Sequence, residues 1–296
     1  MRNETVAQEY VLSLDDQRAT LETVGGKGAS LARLLRAGMP VPGGFHVTTA
    51  AYERFVAEND LMSGIRVALE KVDASKPDTL TKASAKIGTL FLQAGMPEEI
   101  SGAIFEAYTG LDQDDPAVAV RSSATTEDLP GASFAGQQAT SLNTRGNNEL
   151  LGAVRRCWAS LWTARAIAYR KRQGFHHERA AAVAVVVQRL VPAEVSGVLF
   201  TSNPVSGARD ELVINAALGL GEVVVGGLTT PDSFTLDRAT LTVLERQTGR
   251  QELETVLAEQ GTTERPLGPE GSHEILGRTR HVVEHEPRYG PGRETE

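Results

Sequence analysis

A cation followed by many small and hydroxyl-bearing residues stands near the middle of the chain. Arg121 ends an alternating apolar run at Val118 and Val120, and the residues after it include serines, threonines, Gly131 and Gly136. Small residues leave backbone N–H groups open to a ligand, and an arginine fork binds two phosphate oxygens at once. The segment therefore predicts polyphosphate binding. A surface loop rich in turn-forming residues is the alternative on composition alone.

A second candidate anion site lies at Val24–Gly28, where glycines surround Lys27. A helix is predicted directly after these glycines, from the spacing of Leu31, Leu34 and Leu35, with Gly38 as its C-terminal cap. Open backbone N–H groups at the positive end of a helix attract anions, and Lys27 adds a point charge. The pattern is not a Walker A loop. Taken alone, such a glycine-rich stretch is also compatible with a simple turn.

A third candidate is Gln188, which interrupts the almost continuous β-branched run of residues 181–191. Such a run predicts a strand buried on both faces. A buried amide must find hydrogen-bond partners. The edge of an adenine ring and the neighbouring backbone are both possible partners.

The run from Val120 to Gln138 closely resembles the hallmark of the ATP-binding domain of the phosphoenolpyruvate synthase and pyruvate phosphate dikinase family, which includes rifamycin phosphotransferases. Other segments are similar to that family along almost the whole chain. They are residues 24–27, 41–49, 187–191, 195–207, 211–222 and 223–236. The resemblance implies that Lys27 contacts ATP phosphates and that the strand of Gln188 borders the nucleotide.

The same resemblance implies an α+β fold of the ATP-grasp type, in which two lobes close on ATP. We expect an α/β lobe with the phosphate-binding loops over residues 1–192. A β-rich lobe over 193–296 would be truncated at its C-terminus. The similarity covers only about the first third of a typical family enzyme, so the isolated chain is expected to complete no turnover.

The implied site combines cations, donors and a metal. Lys27 and Arg121 would act on the phosphates, and Gly136, Thr140 and Gln188 would bind the nucleotide with them. Glu296 corresponds to a glutamate that helps the family to hold Mg²⁺. The Gln-x-Arg-Pro strand that follows in the family is absent.

A full-length member would split ATP to AMP and phosphate and pass the β-phosphate through a histidine. The acceptor would be pyruvate or a rifamycin hydroxyl. The swivelling phosphohistidine domain and the acceptor domain would lie on a longer or separate chain. A stand-alone nucleotide-sensing or partner-binding module without turnover is the alternative function.

Composition narrows the class of protein. The 296 residues are 41% hydrophobic and carry a net charge of −8, which argues against general nucleic-acid binding. The single cysteine, Cys157, excludes an internal disulfide. No apolar run predicts a membrane helix, and the N-terminus has no apolar signal core, so a cytoplasmic protein is expected.

The remaining elements follow from periodicity. Strands are predicted at 9–14 and within 195–236, including Val223–Val225, with an antiparallel sheet in this second part. Helices are predicted at 50–59 with Thr48 or Thr49 as cap, over much of 60–110, and at 272–286. One long amphipathic helix is expected from Asn147 to about Gly174, with Cys157 as an inert core thiol. His46 is interpreted as structural.

Overall fold

The structure is a computed structural model that describes residues 10–111, 115–125, 139–172 and 182–268. It mixes helices and sheets, which confirms the α+β prediction. The chain divides into two compact units between Val191 and Pro192. Among the described residues, no helix combines the length and the apolar character needed to cross a membrane.

The first unit is built from one sheet and the helices packed on it. Its strands are β1 (Val11–Ser13), β2 (Gly44–Val47), β3 (Val118–Ala124), β4 (Thr140–Thr144) and β5 (Val183–Arg189). Its helices are α1 (Leu21–Arg36), α2 (Thr49–Glu58), α3 (Leu61–Leu69), α4 (Pro77–Gln93), α5 (Glu98–Thr109), α6 (Asn147–Ala159) and α7 (Ala164–Arg172). The helical character expected for residues 60–110 is confirmed.

The sheet has the order β1-β2-β5-β3-β4, and every pairing is antiparallel. The central strand β5 is buried from Val183 to Gln188, as its β-branched run predicts. Partners in an antiparallel register share one face of the sheet. One row across the sheet therefore consists of Leu12, His46, Val186, Arg121 and Thr140.

The two faces of this sheet differ in chemistry. The core face packs on the main hydrophobic cluster, which also contains Phe55, Phe91 and Trp158. Its strand residues are Phe45, Val47, Val118, Val120, Ala124, Val183, Val185 and Val187. The opposite face, here called the polar face, carries His46, Ala119, Arg121, Ser123, Thr140, Ala184, Val186 and Gln188. Helix α1 packs on part of the polar face through a small cluster that includes Val24 and Ala184.

Two predicted helix ends are confirmed. The Thr48 hydroxyl accepts a hydrogen bond from the Ala51 N–H at 3.4 Å and caps α2. Gly38 has a φ of 77° after α1, and its N–H donates to the Leu35 carbonyl at 2.9 Å. The next N–H, of Met39, donates to Leu34 at 3.0 Å, which completes a Schellman cap. Local residue chemistry determines both ends.

The single helix expected from Asn147 to Gly174 is wrong. Helix α6 ends at Ala159, a 3-10 turn covers Ser160–Trp162, and α7 begins at Ala164. Thr163 between them is extended, with a ψ of 153°, and its hydroxyl accepts from the Ala166 N–H at 3.3 Å. A threonine that caps a new helix in this way interrupts the old one. The end of the predicted helix, at residues 173–174, lies outside the described residues.

The second unit is mainly β-structure. Strands β6 (Val195–Phe200), β7 (Glu211–Leu218), β8 (Asp232–Asp237) and β9 (Val243–Gln247) form an antiparallel meander, which confirms the predicted sheet type. Strands β10 (Leu253–Leu257) and β11 (Thr262–Pro266) form a separate hairpin. The predicted helix at 272–286 lies outside the described residues.

The predicted strand at Val223–Val225 is wrong, because these residues form the short helix α8 (Glu222–Val225). The Gly226 N–H donates to the Glu222 carbonyl at 2.8 Å, and Gly227 adopts a φ of 64°. Val223 is fully buried in this turn. The two glycines close a helical turn, and this outweighs the strand preference of three valines.

Candidate functional site

Three of the predicted binding residues lie close together on the polar face. Arg121 pairs with Thr140 on one side and with Val186 on the other, and Gln188 is the next residue of β5 on this face. Directly opposed residues of an antiparallel pair have Cβ atoms about 4.5–5.5 Å apart, and diagonal neighbours lie at about 7–8 Å. Arg121 and Thr140 are both exposed. Long side chains at these positions can therefore reach one ligand.

Lys27 reaches the same strand from helix α1. Its Nζ donates to the Ser122 carbonyl oxygen at 3.3 Å, and Ser122 directly follows Arg121. The glycines were predicted to precede this helix, but they lie inside it. A first turn at Leu21–Val24 is followed by a break at Gly25, where φ is 70° and ψ is 178°, and the helical conformation resumes after it. The physical reason is the contact of this break with β3.

Ser123 makes that contact. Its hydroxyl donates to the Val24 carbonyl at 2.7 Å and accepts from the Gly28 N–H at 3.1 Å. A Cβ at Gly25 would lie 2.1 Å from the Ser123 carbonyl oxygen, so only glycine fits there. The Ser123 hydroxyl, one of those expected to bind a ligand, thus has an internal structural role that its residue type does not indicate. The glycines at 25 and 28 were the one available signal of a close approach.

Gln188 is 93% buried, and its Nε2 donates to the Pro42 carbonyl at 3.1 Å. The amide N–H of Gln188 therefore has a backbone partner, which is one of the two kinds of partner expected from the sequence. The contact with adenine stays a prediction. It would have to use the amide oxygen, which is an acceptor.

His46 lies in the same row as Arg121, two strands away, and is fully buried. Its Nε2 is 3.4 Å from the Leu14 carbonyl, and its Nδ1 has no partner among the described residues. Burial lowers the pKa of His46 from 6.5 to about 4, against the opposing effects of the Leu14 carbonyl and of Asp16. The ring is therefore neutral near pH 7, in keeping with a structural role.

Cys157 packs on the core face and is fully buried. Burial raises the pKa of its thiol to about 12. A thiol that does not ionise near neutral pH is a poor nucleophile. The interpretation of Cys157 as an inert core residue is consistent with these properties.

The residues proposed for the metal and for part of the phosphate loop, Glu296 and Gly136, lie outside the described residues. Within the described part of the chain, no three His, Cys, Asp or Glu side chains lie together as a metal site.

The arrangement that the structure does describe is suited to a polyanion. Lys27 brings a cation from a broken helix, Arg121 brings a second one from the adjacent strand, and Thr140 adds a hydroxyl donor. Phosphoryl transfer depends mainly on positioning the phosphates and neutralising their charge. Lys27 and Arg121 can contribute to both.

Comparison with known proteins agrees with this chemistry. Residues 21–278 match the family described as pyruvate phosphate dikinase, AMP/ATP-binding domain. A probable phosphoenolpyruvate synthase of Methanocaldococcus jannaschii is 47% identical over 262 residues, which cover 87% of this chain and 22% of that protein. The phosphoenolpyruvate synthase of Aeropyrum pernix is 46% identical over 251 residues, which cover 83% of this chain and 30% of the relative.

The chain thus spans less than a third of the length of either relative. The family match covers most of the present chain, including Lys27, Arg121, Thr140 and Gln188. The chain belongs to the pyruvate phosphate dikinase AMP/ATP-binding domain family.

Proposed function

We propose that this chain binds ATP through Lys27 and Arg121 and serves as the nucleotide-binding domain of a phosphotransferase of the phosphoenolpyruvate synthase type. The observation that carries the proposal is the position of four residues selected from three segments that are far apart in the sequence. Lys27 contacts strand β3, and Arg121, Thr140 and Gln188 are neighbours on the polar face of one sheet. Segments that do not share a ligand would not be expected to lie together on one face of the sheet.

Each residue has a distinct part in the proposed complex. Arg121 is exposed and binds two phosphate oxygens with its planar fork. Lys27 exchanges its contact with the neutral Ser122 carbonyl for a charged phosphate oxygen, which is the stronger acceptor. Thr140 donates its hydroxyl beside Arg121, and Gln188 offers its amide oxygen to the base.

The complete reaction would involve further domains, because the chain spans only 22–30% of the relatives compared above. In the proposed sequence, ATP is split to AMP and phosphate, and the β-phosphate passes through a histidine of another domain to the acceptor. The name shared by the relatives favours pyruvate over a rifamycin. The ATP-grasp architecture with its division near residue 192, the loop residue Gly136, and Mg²⁺ held by Glu296 belong to the same proposal.

Titration calorimetry with ATP and with adenosine tests the phosphate assignment. Lys27→Ala and Arg121→Ala should each weaken ATP binding by about 10- to 100-fold, since a hydrogen bond to a charged group contributes about 1.5–3 kcal/mol. Adenosine binding should not change, because neither residue contacts the nucleoside. Equal losses for both ligands would refute the assignment.

Arg54→Ala is a matched control. Arg54 is also exposed, but it lies on α2 and pairs there with Glu58 at 2.9 Å. Its removal should leave ATP binding within twofold of the original, as expected for a surface ion pair. A loss as large as that of Arg121→Ala would mean that the effect is one of overall charge.

A further inference from the structure

The hydroxyl of Ser123 stands inside the hydrogen-bond ladder of helix α1. In a regular helix the Gly28 N–H would donate to the Val24 carbonyl, four residues earlier. Here the Gly28 N–H donates to Ser123 Oγ at 3.1 Å, and the Ser123 hydroxyl donates to the Val24 carbonyl at 2.7 Å. Insertion of a side chain into this ladder is a known cause of a sharp bend. Ser123 thus bridges the break in α1 from a different element.

Close packing around this bridge leaves room only for glycine at residues 25 and 28. At the break, a Cβ on Gly25 would lie 2.5 Å from Ser123 Oγ as well as 2.1 Å from its carbonyl oxygen. A Cβ on Gly28 would lie 2.9 Å from the Val24 side chain and 3.2 Å from His46 Cε1. The helix is therefore held close to the sheet on both sides of Lys27. Ser123 itself is fully buried, so water does not compete for its hydroxyl.

The bridge connects the supports of the two cations. Lys27 lies between Gly25 and Gly28, in the first turn after the break. Arg121 lies two residues before Ser123, on the same strand and the same face. The two Ser123 bonds therefore link the turn that carries Lys27 to the strand that carries Arg121.

We infer that Ser123 is a positioning residue that sets the separation of Lys27 and Arg121 and thereby the affinity for the phosphate end of a nucleotide. The inference rests on the proposed function. Ser123 is not a phosphate ligand in this arrangement, since it is buried and its single O–H proton is already donated to the Val24 carbonyl. It acts through Lys27.

The first test is Ser123→Ala, measured by calorimetry with ATP and adenosine. Removal of the hydroxyl leaves two buried backbone groups without their partner, and we expect ATP affinity to fall about tenfold. Adenosine affinity should stay within twofold. Ser160→Ala is the matched control, because it removes a hydroxyl that donates to the Cys157 carbonyl at 2.6 Å, away from the polar face. It should leave both affinities unchanged.

A double-mutant cycle separates positioning from simple destabilisation. In a Lys27→Ala background, Ser123→Ala should change ATP affinity less than twofold, because the residue through which it acts is gone. An undiminished loss in that background would overturn the inference. So would an equal loss for ATP and adenosine.

Hydrogen exchange without nucleotide provides an independent measurement. In Ser123→Ala the Gly28 amide should exchange faster, since it has lost its acceptor, while amides at the end of α1 should not change. Unchanged exchange at Gly28 would overturn the inference. If Ser123→Ala is too unstable to study, Ser123→Cys retains a weaker hydrogen-bonding group. It should bind ATP more weakly than the original chain, and unaltered affinity would count against the inference.

These outcomes are distinguishable from failure of the proposed function. ATP binding that ignores both Lys27→Ala and Arg121→Ala would refute the proposed function itself. Binding that depends on both cations but is unaffected by Ser123→Ala would refute only the positioning role.

Discussion

The two faces of the first sheet are made by the same strands but have different tasks. Strand β3 contributes Val118 and Val120 to the core face, and Arg121 and Ser123 to the polar face. Because side chains alternate along a strand, every second residue lies on the core face and the residues between them lie on the polar face. Substitutions on the core face should therefore cost stability, whereas substitutions of the exposed polar-face residues Arg121 and Thr140 should cost mainly binding.

The largest expected effect is that of Trp158→Ala on the core face. Trp158 is fully buried, and its ring centre lies 4.8 Å from that of Phe55 and 6.2 Å from that of Tyr52. Truncation should lower the free energy of unfolding by about 3–5 kcal/mol, through lost burial and a cavity. Urea denaturation measures this loss. At low temperature, where the variant is still folded, ATP affinity should be unchanged, and a large change would contradict the separation of the faces.

Gly25→Ala should reduce both stability and ATP binding, because Gly25 lies where α1 packs against the polar face. The strained positive φ and the clash with the Ser123 carbonyl should cost about 1–3 kcal/mol of unfolding free energy. ATP affinity should fall as well, since Lys27 moves. Gly88→Ala is the control, because Gly88 lies within α4 and a Cβ there meets no atom within 4 Å. That change should stabilise the chain.

A third prediction concerns pH and the polar face. The folded chain holds the pKa of His46 near 4, whereas an unfolded chain takes up this proton near the ordinary value of 6.5. The stability due to neutral His46 is thus fully present above pH 6.5 and is lost as the pH falls through this window. Between about pH 7 and pH 5, the original chain should lose about 2 kcal/mol more than His46→Gln, which does not titrate.

Denaturation at a series of pH values measures this difference. Hydrogen bonding to Arg18 lowers the pKa of the nearby Asp16, so this shift does not oppose the ionised form of the carboxylate beside His46. Parallel stability curves for the two proteins from pH 7 to pH 5 would contradict the burial of a neutral His46.

The smallest effect is expected for Thr140→Val, which keeps the branched shape and removes the hydroxyl. Thr140 is exposed on the edge strand β4, so the free energy of unfolding should stay within about 0.5 kcal/mol. ATP affinity should fall by about two- to fivefold, as for one ordinary hydrogen bond. A calorimetric titration that shows no loss would remove Thr140 from the site but leave the two faces distinct.

The sequence predicted best where a few adjacent residues decide the outcome. Gly38 and Thr48 end and begin helices through their own chemistry, and the continuous run of valines in β5 indicates a buried strand before its partners are known. The break in α1 escaped prediction for the opposite reason, because it involves Ser123, which lies far along the chain from that helix. The break between α6 and α7 has a local cause, the capping residue Thr163, and it escaped prediction because the apolar spacing continues across it.

For the candidate site, residue type and resemblance selected Lys27, Arg121, Thr140 and Gln188, whereas their common face follows from strand register. No sequence pattern indicates that Gln188 is paired with Ala119 or that Arg121 is paired with Thr140. From residue type alone, Ser123 cannot be distinguished from the serines and threonines of a ligand-binding loop. Only its two partners in α1 reveal the difference.

The central place of β5 has a consequence for synthesis of the chain. Among the described strands, β1 and β2 form one pair and β3 and β4 another, and β5, which the ribosome makes after all four, joins the two pairs. Until then each is a two-stranded ribbon, which is marginal alone and has unpaired edges that invite aggregation. A nascent chain that ends before Val183 therefore lacks the strand that joins the two ribbons, and this sheet cannot be completed until β5 has been made.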